Sequence, residues 1–297
     1  MKNNKAIAGL ALSMLIFGTV GVFRRYIPFS SGLVAMARGL VGAVCLIAVI
    51  LISKKGFDHR SVKKNLPLLI LSGAALGFNW IFLFEAYNHT TVATATLCYY
   101  LAPVFVTLAS PLVLREKLTV KKLVCVAVSL LGMVAVSGVL NSNGISGLDG
   151  KGILFGLCAA IFYATLVILN KKIKGIGAYE KTVVQLLSSA VILLPYVIFA
   201  EGVQNVRFDL TSLSMLLLCG ILHTGVAYWL YFGSMDRLEA QTVAIFSYID
   251  PVVAIILSAT VLEENIGAWG YIGAALILGA TLVSEINMPK KVKGEKE

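Results

Sequence analysis

The sequence predicts an all-α integral membrane protein with ten transmembrane helices, arranged as two inverted five-helix repeats. Three observations carry this reading. The first is composition: 58% of the 297 residues are hydrophobic and 13% are charged, against roughly half and a quarter in soluble domains. Apolar surface on that scale needs lipid as its solvent. The second is spacing: ten apolar runs, most near the roughly 20 residues that a bilayer crossing needs, are separated by short connections rich in charge or helix breakers. The third is a repeat. YLAPVFVTLASPLVLREKLT at 100–119 returns as YIDPVVAIILSATVLEENIG at 248–267, an offset of 148 residues, half the chain. Each half holds five spans, and an odd number turns the second copy upside down in the membrane.

The spans follow in order. Span one, 6–23, comes after Lys2 and Lys5 and has the look of a leader. Equally apolar runs follow it throughout, so it is expected to stay as the first membrane helix. Span two, 31–52, carries Arg38. Span three, 66–87, holds Asn79 and Trp80 and a GxxxG pair, Gly73 and Gly77, which lets helix backbones approach closely in lipid. Span four, 91–113, brings Tyr99, Tyr100 and Pro103 to mid-depth; span five, 121–140, follows the charged REKLT link. Span six, 151–170, continues the small-residue spacing through Gly152, Gly156, Ala160 and Ala164. Span seven is 181–200, span eight (211–232) carries His223, Thr224, Tyr228 and Trp229, and span nine (240–262) carries Tyr248, Asp250 and Pro251. Span ten is 267–286. The repeat predicts three units: 1–148, 149–288 and a basic tail, 289–297.

The net charge of +10 is a matter of topology. With the N-terminus inside, cytoplasmic segments hold 20 Lys and Arg, and the outer loops hold only Arg24, Arg25, Lys151 and Arg207. That bias follows the positive-inside rule. It predicts a multi-pass protein of the plasma membrane with both termini cytoplasmic. No soluble domain is left to present a basic face, so nucleic acid is not an expected partner. The five cysteines all lie in apolar runs without a CxxC pair, so neither metal site nor disulfide framework is expected.

Certain residues stand out against this apolar background. Pro103 and Pro251 each release the carbonyl four residues earlier, on Tyr99 and Ser247. In lipid such a carbonyl must be met by protein or by water in a cavity, so spans four and nine are expected to bend around a central pathway. Glu116 and Glu264 precede helices, near Thr119 and Asn265, where a carboxylate suits the positive end of the helix dipole. Tyr99, Tyr100 and Tyr248 sit too deep for an interfacial aromatic belt and face a cavity on this reading, with Trp80 and Tyr228 as further aromatic wall. Arg38, His223 and Asp250 are ionisable groups within spans, where function is the default hypothesis. For Arg38 the alternatives are pairing with Glu85 or snorkelling outward; for His223, a satisfied core histidine.

With its paired five-helix halves and two Pro-plus-terminal-Glu segments, the chain resembles the drug/metabolite transporter superfamily, in its ten-helix EamA-type branch. Arg38 in AMARGL and the AYNHTTVATAT link between spans three and four add to the likeness. The resemblance implies transport of small organic metabolites, such as amino acids or drugs, often outward. Small four-helix relatives carry a membrane glutamate in their first helix; here AIAGLALSMLIFGTVGVF has no acid, so that coupling site does not transfer.

The function expected is a secondary transporter and exporter, alternating access between its halves. Its partners are a small organic solute and the bilayer, as a monomer or homodimer and with no cofactor. Asp250 is the candidate coupling site for protons, because hydration and desolvation of a mid-span carboxyl tie proton binding to conformation. No GxxxxGK[ST] motif for ATP is present, and no HExxH or GxSxG, so an intramembrane enzyme is the weaker reading. A passive channel or a sensor is the other alternative.

Overall fold

A computed structural model describes residues 2–53, 57–115, 118–137, 140, 147–201, 209–235, 237–238 and 240–285. The expected basic tail, Glu116 and most of the 141–151 loop lie outside the described residues.

Every predicted span falls on helix. Among the described residues, eight helices are long and apolar enough to cross a membrane: α1 (Asn4–Arg25), α2 (Ser31–Ile52), α3 (His59–His89), α4 (Val92–Val113), α6 (Asp149–Lys172), α7 (Ala178–Glu201), α8 (Leu210–Met235) and α10 (Gly267–Ser284). The other two runs give shorter helices. α5 is Val120–Val136, and α9 is split into Ala240–Ser247 and Ile249–Thr260.

The ends of the helices depart from the apolar runs for local reasons. α3 starts well before residue 66 because Asp58 caps it, accepting from the amides of Arg60 and Ser61 at 3.1 Å. Thr119 caps α5 through the Lys122 amide. Arg24 and Arg25, expected in a loop, form the last turn of α1 instead. Arg24 is only 5% exposed; its Nη1 donates to the Ile27 carbonyl at 2.8 Å and its Nη2 to Ser31 Oγ at 3.2 Å. A run of charge at a helix end reads as a solvated loop, but here the turn that follows folds its own acceptors back over the guanidinium.

The packing is symmetric under exchange of the halves. α2 packs on α7 and α5 on α10, each helix on its own counterpart. α3 on α6 is mirrored by α8 on α1, and α4 on α6 by α9 on α1. Two backbone details repeat as well. Arg115 and Glu263, 148 residues apart, both take positive φ, 55° and 54°, and both precede the repeated glutamates. Gly73 and Gly77 face α7, Gly156 faces α4, and Gly152 faces Thr90 in the link between α3 and α4, close approaches of the kind the small-residue spacing predicts.

Apolar side chains fill the space between helices. Leu97, Leu101, Met133 and Ile277 join α4, α5 and α10, while Leu10, Met14 and Val243 join α1 and α9. The periphery is apolar too, with Leu112, Phe199 and Leu210 more than four-fifths exposed. Such a surface suits acyl chains and not water.

Candidate functional site

Several helices lose their regular hydrogen bonding towards the middle of their length. α1 is interrupted at Thr19, between Lys2–Gly18 and Val20–Arg25. α4 breaks at Tyr100–Leu101, with Pro103 in the first turn of the second piece, Ala102–Val113. α9 breaks at Tyr248, with Pro251 in the first turn of Ile249–Thr260. α8 widens into π-helix over Ile221–Val226. Such bulges and breaks are common where a helix lines a functional site.

The breaks in α4 and α9 meet. Tyr100 Oη donates to Asp250 Oδ2 at 2.9 Å and lies 3.4 Å from the Ser247 carbonyl. That carbonyl is the one Pro251 deprives of its helical donor, so the hydroxyl of one half attends the broken turn of the other. The rings of Tyr99, Tyr100 and Tyr248 are in contact in sequence, with centroids 5.8 and 6.4 Å apart. Tyr163 of α6 extends the row beyond Tyr99 at 5.3 Å. All five residues of the group Tyr99, Tyr100, Tyr163, Tyr248 and Asp250 keep some exposure. Gly18 makes room for this meeting. A Cβ there would stand 2.7 Å from the Asp250 carbonyl and 2.6 Å from Val253 Cβ.

A second group is centred on Arg38. Its guanidinium lies over the Trp80 ring at 4.4 Å and over Phe84 at 5.4 Å. Nε donates to Thr224 Oγ1 at 3.2 Å. Arg38 is 4% exposed, so it does not snorkel. It does not pair with Glu85 either, whose carboxylate is 3.8 Å from His89 Nδ1. Thr224 reaches Arg38 because α8 approaches α2 closely. A Cβ on Gly42 would fall within contact distance of Thr224 Cγ2 and 2.8 Å from its Cβ.

His223, fully buried, connects the groups. Its Nε2 is 2.9 Å from Thr19 Oγ1, and that hydroxyl donates to the Ile16 carbonyl at 2.7 Å. The Thr19 hydroxyl thus lies between the His223 ring and the Ile16 carbonyl. The ring also contacts Phe23 at 4.8 Å. Tyr228 packs on Phe17 of α1 at 5.6 Å. Tyr87 Oη lies 3.4 Å from Thr96 Oγ1.

The predicted residues thus fall into neighbouring groups. Tyr99, Tyr100, Tyr248, Asp250 and Pro251 come together, and so do Arg38 and Trp80. Pro103 sits one step away, beside a gap of about 10 Å³ shared with Thr107, Ser129 and Thr281, room for about one water. Trp229 is half exposed and faces away from the interior.

Glu264 has a different role from the expected one. Its carboxylate accepts from the Val92 amide at 2.7 Å and from Ser258 Oγ at 2.6 Å, and it pairs with Arg25. It caps α4, in the opposite half, while Asn265 serves α10 through the Gly267 amide. Sequence reasoning missed Thr19, Arg24 and the Glu264 partners.

Among the described residues no cluster of three His, Cys, Asp or Glu side chains suits a metal. The site offers hydroxyls, one carboxyl, one guanidinium and aromatic faces.

The profile of the EamA-like transporter family matches residues 4–138 and again 150–285. The chain is 32% identical to "Uncharacterized transporter YxxF" of Bacillus subtilis (strain 168), over 86% of this chain and 81% of that one. It is 26% identical to "Uncharacterized transporter YetK" of the same organism, over 92% and 83%. It is 24% identical to "Protein PecM" of Dickeya dadantii (strain 3937), over 77% and 80%. A solved crystal structure superposes with a TM-score of 0.65 over 94% of this chain and 96% of its own, at 19% identity, a likeness of fold.

Proposed function

The chain belongs to the EamA-like transporter family, and from that premise we propose that it is a secondary carrier exporting a small organic solute in exchange for protons. The observation that carries the reading is the meeting of two broken helices, one from each half, at the Tyr100–Asp250 hydrogen bond. A channel has no need of such a joint. A carrier that rocks one half against the other does, because the joint senses which way the halves lean. Asp250 is the proton site in this scheme. Tyr100 holds Oδ2, and Oδ1 is left for a proton or a cationic group of the solute.

The units 1–148 and 149–288 are the halves that rock, with 289–297 as a cytoplasmic tail and both termini on the cytoplasmic side of the plasma membrane. Tyr99, Tyr248, Trp80 and Tyr228 wall the pathway, and Pro103 and Pro251 keep its helices broken. One chain holds both halves, so a monomer is sufficient.

The test is flux in proteoliposomes, after a thermal-shift screen of amino acids, nucleobases, sugars and organic cations selects a solute. Saturable flux is expected, stimulated by solute on the opposite side and driven by an imposed pH gradient. Asp250→Asn is expected to fold and to lose the gradient dependence. Non-saturable flux without countertransport would indicate a channel, and a chemically altered solute an enzyme.

A further inference from the structure

Arg38 is a charge without a counter-charge. It is 4% exposed, yet no carboxylate lies within 4 Å of it among the described residues, and its one hydrogen bond is from Nε to Thr224. Both Nη groups, which carry four of its five donors, have no acceptor there. The aromatic faces of Trp80 and Phe84 hold the guanidinium plane, but a ring quadrupole replaces only part of the hydration that burial removes. A second buried cation adds to the imbalance. Arg24 stands 5.9 Å over the same Phe84 ring, with Nε unpartnered. Its other nitrogens are used up by Ile27 and Ser31, so Arg38 is the one with a free fork.

Everything around Arg38 fixes its orientation. Thr224 is delivered by the π-turn of α8, Gly42 lets that turn come close, and Trp80 braces the far face. A guanidinium held by Nε and by its faces presents its Nη edge as a planar two-pronged donor. That shape matches a carboxylate in bidentate geometry.

We propose that Arg38 is a binding site for the carboxylate group of the transported solute. The inference rests on the carrier reading and narrows it to organic anions and zwitterions. Arg38 takes the anionic end, and Trp80 and Phe84 give apolar support.

The experiment is equilibrium binding to the purified full-length chain in detergent, read by thermal shift. The probes are acetate, benzoate and glutarate as sodium salts, each against its neutral amide, with sodium chloride at matched ionic strength as the control. At least one carboxylate is expected to raise the melting temperature in a saturable way, while its amide does not. Arg38→Gln is expected to weaken that carboxylate about 10- to 100-fold, the worth of a charge-assisted hydrogen bond. Should Arg38→Gln not fold, Thr224→Val frees Nε, leaves the charge in place and is expected to weaken the same carboxylate by a smaller factor. The proposal is overturned if no carboxylate outperforms its amide, or if the substitution at 38, or at 224 where 38 does not fold, leaves binding unchanged. Binding without flux would count against the carrier reading alone. Gradient-driven flux with equal preference for acid and amide would count against the carboxylate site alone.

Discussion

Glu264 accepts a hydrogen bond from the Val92 amide at 2.7 Å, so a carboxylate at the end of α9 caps the start of α4, in the opposite half. Ser258 and Arg25 hold the same carboxylate, and Arg25 is also tied to the Thr90 carbonyl. In its second copy the Pro-plus-Glu pattern therefore marks both a break in mid-membrane and a clasp between halves.

This clasp predicts a graded response. The Arg25 pair is partly exposed, at 32% and 13% of the side chains, and is worth at most about 1 kcal/mol. The bonds from Val92 and Ser258 to a carboxylate are worth more, roughly 1.5–3 kcal/mol each. Glu264→Gln keeps an acceptor for both and is expected to lower stability modestly. Glu264→Ala is expected to cost several-fold more than Gln. Chemical denaturation of both variants in mild detergent checks the order, and equal losses would show that the ion pair dominates.

Gly42 offers a test of the α2–α8 contact. An added methyl is expected to push Thr224 off Arg38 and to lower stability by about 1–3 kcal/mol, the usual cost of overpacking. Thr224→Ser removes the methyl that Gly42→Ala would strike and keeps the hydroxyl. The double variant is thus expected to recover part of the loss in melting temperature. Additive losses would place the clash elsewhere.

Much of this architecture was legible because lipid simplifies the code. A run of apolar residues has to be a helix, since the backbone finds no other partners in hydrocarbon. The repeat was legible because Pro103, Pro251, Glu116 and Glu264 are rare types at fixed offsets. Arg38, His223 and Asp250 were visible for the same reason. The sequence could not say which groups they meet. Thr19 breaks α1 without a proline, and the π-turn at His223 has no composition of its own. Glu264 sits three residues from a helix it does not cap and 172 residues from one that it does, and local spacing favours the wrong answer.

The polar helix starts predict an acid-sensitive step. Asp58 and Asp209 cap α3 and α8 outside the membrane segments, and both carboxyls are held below the ordinary carboxylate range. In each the largest cause is a side-chain hydrogen bond, from Ser61 and Ser212 respectively, followed by the amide of the same serine. A depressed folded-state value means the contribution is present above the unfolded value, near 3.9, and is lost as pH falls through the folded value. Hydrogen exchange in the first turns of α3 and α8 is therefore expected to speed up only below about pH 4. Asp58→Asn is expected to remove the pH dependence in α3 and leave it in α8. Exchange in α3 that stays acid-sensitive in Asp58→Asn would assign the effect to another group.

The two prolines give the sharpest test of the moving joint, because their surroundings differ. In α4 two residues, Tyr100 (φ −71°, ψ 3°) and Leu101 (φ −78°, ψ −4°), separate the helical pieces; in α9 only Tyr248 (φ −77°, ψ −7°) does, so the breaks differ in length and not in backbone angles. Pro251→Ala restores an amide that is able to donate to the Ser247 carbonyl, and little stands between α9 and a continuous helix. A healed α9 would draw Ser247 and Asp250 into line and away from Tyr100. Removing a proline from a helix interior relieves up to about 3 kcal/mol, so Pro251→Ala is expected to be at least as stable as the parent. Its transport is expected to fall at least roughly tenfold, about 1.4 kcal/mol in the barrier between facing states. Pro103→Ala is expected to lose less, since the wider break in α4 does not close on restoring one donor. Flux at matched protein in liposomes, alongside denaturation midpoints, compares the two directly. Full transport by Pro251→Ala would make the α9 break a static feature of packing, and the Tyr100–Asp250 joint would lose its part in the cycle.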